Sequence, residues 1–364
     1  MARRGKRVAI LEKNSKVGKK LLATGNGRCN ITNRKITLDK FHSQNPKFIE
    51  KVLDGYSFYS IKEFFNSIGL ILTEEKEGKI FPISLQALSV VELLEYECKR
   101  LGVDIFCNAR VETIKNFKNR YRVEFNNSSL ESKNLIIATG NISAPQLGGV
   151  DDGLEFARSL GHTIITPYPS LVQLTSPMAN LKKISGVKIS SRVTLRLKDK
   201  IIEKRGDILF TNYGISGLAI LDISRFVVEE LKYKKEVILT VDLIPNLSKD
   251  RLRAILNRRD RPLEIILQGL INKKIISFIL DSKIENIIRN IKFFKFRIDG
   301  TRGFKGAEIA TGGVDTREIN PKSLKSKKHK GLYFTGELLD IDGNRGGFNL
   351  HFAWVCGLRV GKSI

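Results

Sequence analysis

Near the C-terminus an apolar strand, Gly331-Leu332-Tyr333-Phe334-Thr335, passes through Gly336-Glu337, Asp340 and Asp342-Gly343-Asn344-Arg345-Gly346-Gly347-Phe348-Asn349-Leu350 into an apolar helix spanning 349–361. A strand, a glycine-rich turn and a helix start, in that order, belong to an α/β architecture that delivers a helix N-terminus to a ligand. The first N–H groups of a helix lack intrahelical partners and carry partial positive charge, so they suit an anionic or electron-rich group. Glycines in the turn let backbone approach that group closely.

Two further stretches share this character. Ile136-Ile137-Ala138-Thr139-Gly140 is an apolar strand ending in small residues, beside which a ligand can pass. The loop from Gly18 to Asn30 (GKKLLATGNGRCN) combines three glycines with basic and hydroxyl side chains, a composition that cradles anions. An exposed flexible loop is the plainer alternative. Just before it, Lys6–Leu11 reads as a short strand closed by Glu12. An acidic residue there in a dinucleotide-binding unit accepts hydrogen bonds from ribose hydroxyls, although charged residues also end many strands without that role.

Helical spacing over 57–69 and 85–101, the second with Leu85, Leu88, Val91 and Leu94 on one face, is followed by Leu101-Gly102 and a strand over 103–106. Helix, glycine and strand in sequence are half of a βαβ unit. Residues 109–114, 120–125 and 130–137 read as a β-meander. From about 163 the texture changes: 191–198 and 236–243 alternate as half-buried strands, and 248–292 is helical. The α/β pattern resumes at about 306. The expected organisation is therefore an α/β domain over 1–162, an inserted module over 163–305 with a helical lobe near 248–292, and the rest of the α/β domain over 306–364.

No apolar run approaches the roughly 18–20 residues of a membrane span, and no signal peptide is visible, which together point to the cytoplasm and to no membrane partner. The four cysteines and four histidines are scattered, without the spacing of a dithiol centre or a metal site. The net charge of +25 can attract nucleic acid, but Lys and Arg are spread along the whole chain, and a solvated basic surface is the simpler reading.

The stretches LEKNSKVGKKLLATGNGRCNITN, NLIIATGNISAPQLGG, DILFTNYGISG, EIATGGV and GLYFTGELLDIDGNRGGFNLHFAW resemble, in order and over nearly the whole chain, the BaiN-like, aminoacetone-oxidase-like family of FAD-binding oxidoreductases. The resemblance implies a glutathione-reductase-like FAD domain interrupted by an insert of β-barrel and helical parts, with FAD held non-covalently. It also implies roles. Glu12 takes the adenosine ribose, and Lys20, Gly25, Gly27, Arg28, Cys29 and Asn30 line the flavin side. Val111 touches adenine through its backbone, with Thr139 and Gly140 beside the phosphates. Gly336, Glu337, Asp342, Gly347, Phe348, Asn349 and Leu350 close over the ribityl chain and ring. Asn26 and Asn141 stand where the family usually has Gly, Ala144 where it has an aromatic, and Val150-Asp151 where it has Thr-Gly. The glycine fingerprint G-x-G-x-x-G should precede the ribose acid by roughly 20 residues. Counting back from Glu12 passes residue 1, so the first strand and its phosphate-binding turn are expected to lie outside this chain.

The first functional expectation is an FAD-dependent oxidoreductase acting on a small molecule, the flavin carrying the hydride and the protein supplying orientation and electrostatics. The partner in electron transfer stays open among NAD(P)H, oxygen and a reducible small molecule, and no residue is assigned as acid or base. The second is a tRNA-binding or tRNA-modifying flavoprotein, which would suit the charge but lacks a basic-aromatic stacking platform. The third is a truncated pseudoenzyme without FAD.

Overall fold

A computed structural model describes every residue except Asn119 and Arg259. The chain divides into two compact units, Met1–Tyr168 with Ile309–Ile364, and Pro169–Glu308.

In the first unit the helix Ala87–Arg100 buries Ala87, Val90 and Val91, with half-buried Leu94 one turn further on. Val91 and Leu94 keep their expected places, but the stripe begins at Ala87 and Val90 rather than at Leu85 and Leu88. Leu85 is exposed at φ 52° and Leu88 is also exposed, because the chain is still turning before Ala87 starts the helix. Gly102, at φ 69°, ends the helical turn in the left-handed region that costs glycine nothing, and the strand Asp104–Phe106 follows, paired parallel to Ala9–Leu11.

The meander is Val111–Phe117, Arg120–Phe125 and Ser128–Ser132, all antiparallel. Its expected third strand, 130–137, is two elements. Leu135–Ile137 leaves the meander and pairs parallel with Leu332–Phe334. The reason is burial: Leu332 and Phe334 are fully buried and Tyr333 nearly so, so their apolar partner must enter the core with them. The C-terminal helix, Phe348–Ser363, buries Phe348, His351, Phe352, Val355, Cys356 and Val360, the 3–4 spacing of one helix face. It donates the Trp354 indole N–H to Ile31 O at 3.0 Å and the Arg359 guanidinium to backbone oxygens of Lys51, Val52 and Asp54.

The second unit is built on seven strands in the order Phe294–Ile298, Val237–Asp242, Lys188–Arg196, Ile201–Phe210, Gly214–Ser216, Leu174–Thr175 and Gly300–Thr301. One face packs on the helix Leu218–Leu231, whose Ala219, Ile220, Ile223 and Val227 are fully buried. Among the described residues, four short helices between Lys249 and Lys292 complete its core. The expected β-barrel is corrected to an open order: its two outer strands are the halves of 294–301, parted at Asp299, and among the described residues no ladder joins them. Alternation in single strands carries no information about closure.

Candidate functional site

The loop after the short helix Lys19–Ala23 is wound tightly. Gly25, Asn26, Gly27 and Cys29 all have positive φ, between 56° and 78°. Asn is among the few non-glycine residues that adopt this region at small cost, so Asn26 keeps the turn that a glycine would make. The Cys29 and Gly27 N–H groups both donate to Thr24 O, at 3.0 and 3.1 Å. Cys29 is fully buried, and burial pushes its thiol up to about 11 against the smaller opposing pull of Thr24. Arg28 turns away from this knot, its guanidinium 4.6 Å from the Phe81 ring centroid and 3.2 Å from the Glu75 carboxylate.

Lys20 points to a different element. Its ammonium donates to Ser143 Oγ at 2.7 Å and to Glu337 Oε2 at 2.8 Å. Ser143 Oγ donates to Glu337 Oε1 at 2.8 Å, and the Ala310 N–H donates to the same oxygen at 3.0 Å. One carboxylate thus gathers the N-terminal helix, the turn after the Leu135–Ile137 strand, the strand Ile309–Val314 and the turn after Leu332–Phe334. Asn141 is almost fully buried, with its amide 3.2 Å from Glu337 O and 3.4 Å from Gly312 O, while Ile142 N–H donates to its Oδ1 at 2.8 Å. The departure from glycine at 141 is therefore absorbed by hydrogen bonds.

The Asn30 loop and the C-terminal helix start are pressed together. A Cβ on Gly347 would lie 2.5 Å from Thr32 O and 3.0 Å from Asn30 Oδ1. Gly347 is the N-cap of the helix at φ 97°, with no side chain satisfying the first N–H groups. Asn349 closes the preceding turn, accepting from Gly343 N–H at 2.7 Å and donating to Gly343 O at 2.8 Å. Asp342 is buried. The Phe348 ring is buried edge-on to Phe41 at 5.8 Å and offers only its backbone to a ligand, and Leu350 packs partly buried against the core. One turn into the helix, His351 is fully buried with Nδ1 2.8 Å from Thr32 Oγ1. Burial lowers it to about 4, against a smaller pull from the Tyr56 backbone.

Glu12 ends the first strand. Its Oε1 accepts from Asn14 N–H and Asn14 Nδ2 at 2.8 and 2.7 Å, and its carbonyl accepts from Ala109 N–H at 2.9 Å. Val111, two residues beyond Ala109, opens the meander beside a register shift. Thr139 is exposed and faces the start of the helix Asp152–Ser159, close enough that a Cβ on Gly153 would meet its Oγ1 at 1.9 Å. Gly140 and Gly336, at φ 73° and 63°, follow the ends of the two paired parallel strands. Among the expected residues, then, Lys20 meets Glu337, and Asn30 meets Gly347. Arg28 makes its contacts elsewhere, with Glu75 and Phe81. Asn141, a departure from the family pattern in the sequence, holds these groups in place together with Ser143 and Asn14, two residues that the motifs do not mark; a polar residue shortly after a strand of Ala-Thr-Gly type is the signal for Ser143.

A family description, HI0933-like protein Rossmann domain, matches residues 1–363. The chain belongs to the HI0933-like family. It is 35% identical to a 3-dehydro-bile acid delta(4,6)-reductase of Clostridium scindens, over 98% of this chain and 92% of that protein. It is 31% identical to a ribosomal RNA dihydrouridine synthase of Haemophilus influenzae, over 100% of this chain and 94% of that protein. Among solved structures it is similar to a 3-ketosteroid-delta4-(5alpha)-dehydrogenase of Rhodococcus jostii RHA1, at 14% identity and a TM-score of 0.47, covering 100% of this chain and 92% of that one. Among the described residues of this HI0933-like chain no helix is long and apolar enough to cross a membrane, and no cluster of His, Cys, Asp and Glu could hold a metal ion.

Proposed function

We propose that the protein is an FAD-dependent reductase that adds a hydride and a proton across a carbon–carbon double bond conjugated with a carbonyl, with NAD(P)H as the electron donor. The observation that carries the FAD reading is the Glu337 carboxylate, on which the elements of all three glycine-bearing motifs converge through Lys20, Ser143 and Ala310. The residues present fit the cofactor. Gly140 has open space where a Cβ would stand, which suits passage of a phosphate-bearing chain, and the uncapped start of the C-terminal helix offers free N–H groups to the electron-rich edge of the ring.

In this reading Glu12 exchanges its Asn14 partners for ribose hydroxyls. The wound loop 25–30 and the start of the C-terminal helix fix the ring's position, and the Lys20–Glu337 pair holds the two sides of the cradle at constant separation. Bound FAD would supply the two-electron relay from the nicotinamide to the substrate.

The bond class is supported by the names of the two relatives. A 3-dehydro steroid unsaturated at position 4 is a conjugated enone, and dihydrouridine is uridine saturated at its ring double bond, which is conjugated with a carbonyl. A small enone and an RNA uracil are thus the two substrate classes in view. The charge distribution favours RNA: residues 169–308 carry 28 Lys and Arg against 15 Asp and Glu, a net +13 of the chain's +25, and a polyanion is the partner such a surface attracts.

The test is direct. The full chain, loaded with FAD, is mixed anaerobically with NAD(P)H and then offered either a steroid enone or protein-free ribosomal RNA. Flavin bleaching by NAD(P)H, followed by gain of two hydrogens in a uridine of the RNA, is the expected result. A preparation that binds no flavin refutes the cofactor reading, and reduction of the enone alone returns the substrate to the small-molecule class.

A further inference from the structure

Four strands of the second unit, Phe294–Ile298, Val237–Asp242, Lys188–Arg196 and Ile201–Phe210, turn one face toward the apolar core and the other outward. On the outward face Arg192 lies directly opposite Arg205. Side chains so placed have Cβ atoms roughly 5 Å apart, and like charges in that arrangement weaken a sheet. The opposite neighbour of Arg192 is Asp242, but that carboxylate is taken by Lys292 at 2.6 Å. Arg205 reaches Asn246, a neutral partner. Arg196 and Lys295 stand exposed on the same face, and neither they nor the two opposed arginines make an ion pair among the described residues. Two further acids on this face are likewise occupied: Asp207 pairs with Lys188 at 2.8 Å, and Glu203 accepts from Thr194 at 3.2 Å.

We infer that this outward face is a docking surface for the phosphate backbone of RNA. Folding alone gives no reason to oppose two arginines, whereas a polyanion crossing the strands turns their repulsion into a shared attraction. The geometry suits an extended polyanion: with roughly 3.3 Å per residue along a strand and roughly 5 Å between strands, Arg205 stands roughly 5 Å across from Arg192, Arg196 roughly 13 Å along the same strand, and Lys295 two strands away in the register of Thr240 and Thr194, so the four cations span a patch that several phosphates can cross. The absence of aromatic side chains from these positions points to backbone contact rather than base stacking. The inference rests on the reading that RNA is the substrate.

The test uses the full chain loaded with FAD and a fluorescein-labelled fragment of protein-free ribosomal RNA, with binding followed by anisotropy from low to moderate salt. Neutralising Arg192→Gln and Arg205→Gln together should lower the slope of log affinity against log salt by about 2, since each lost phosphate contact removes roughly 1. FAD content should stay unchanged and the thermal midpoint should not fall, because a like-charge pair has been relieved. Lys295→Gln, on an outer strand where a fold defect is least expected, should lower the slope by about 1. The control Lys47→Gln/Lys62→Gln, which removes the same charge from exposed helices of the first unit, should leave the slope within error of the parent. Equal slopes in the parent and the face variants overturn the surface while leaving RNA as substrate. An equal fall in the control overturns it too, by showing a net-charge effect. No binding by the parent, or capture by anionic phospholipid vesicles in place of RNA, removes both the surface and the RNA reading on which it rests.

Discussion

Replacing Gly347 with alanine tests the central packing of the site, the contact between the Asn30 loop and the C-terminal helix. Two costs arise. The first is conformational: at φ 97° an L-residue is strained, by about 1–2 kcal/mol. The second is steric. The new Cβ would lie 2.5 Å from Thr32 O and 2.6 Å from Thr32 C, and Thr32 is in a strand paired with Ile80, so backbone must move against backbone. Overpacking of this kind costs about 1–3 kcal/mol. The first unit has 168 and 56 residues in its two segments, and at that size 1 kcal/mol shifts the thermal midpoint by about 2–4 °C. Gly347→Ala should therefore lower the midpoint by roughly 4–20 °C. Gly27→Ala is the matched control, with φ 78° and nothing within 4 Å of the added atom. It bears only the conformational cost, and its shift should be roughly 2–8 °C. Scanning calorimetry on both variants decides the matter. Equal shifts would refute the idea that the loop and the helix start are locked together.

Two other perturbations follow from the site. Glu12→Ala should weaken FAD binding by about 1–3 kcal/mol, the cost of leaving polar groups unpaired; fluorescence titration giving the parent affinity would return Glu12 to an ordinary strand end. His351 is buried neutral with its pKa lowered to about 4 from an ordinary 6.5. The unfolded chain therefore binds the extra proton first as pH falls, and stability should drop between pH 6.5 and 4, by about 2 kcal/mol at pH 5. His351→Asn, which keeps a partner for Thr32, should flatten that limb in urea titrations at pH 7.5 and 5, and an unchanged limb would show that other groups produce it.

What the sequence makes legible is local. Gly102 and the knot at 25–29 announce their turns because only glycine, or asparagine at 26, enters positive φ at small cost. The C-terminal strand–turn–helix is legible for the same reason, with the apolar spacing of Phe348, Phe352 and Val355 added. What brings Lys20, Ser143 and Glu337 together is long-range packing: the partners lie 123, 194 and 317 positions apart, and no pattern within a window reports it. The split of 130–137 is illegible likewise, since whether Leu135 continues the meander or leaves it depends on Leu332, far along the chain. Arg192 facing Arg205 needs the register of a hairpin, which charge counting along the chain spreads into an even basic background.

The C-terminal helix has a consequence for how the protein is made. It holds Ile31, the backbone at 51–54 and, through its own carbonyls at 361 and 362, the Arg4 guanidinium. The first unit is thus closed by a segment, Ile309–Ile364, that leaves the ribosome after the whole of the second unit, a continuous stretch from Pro169 to Glu308. Contacts of high sequence separation form late, and chains emerge N-terminus first. The inserted unit therefore matures first, and residues 1–168, although translated before it, wait unfinished with their apolar surface open. During that interval the exposed apolar surface of the first unit makes the nascent chain prone to aggregate, a hazard separate from the equilibrium stability of either unit.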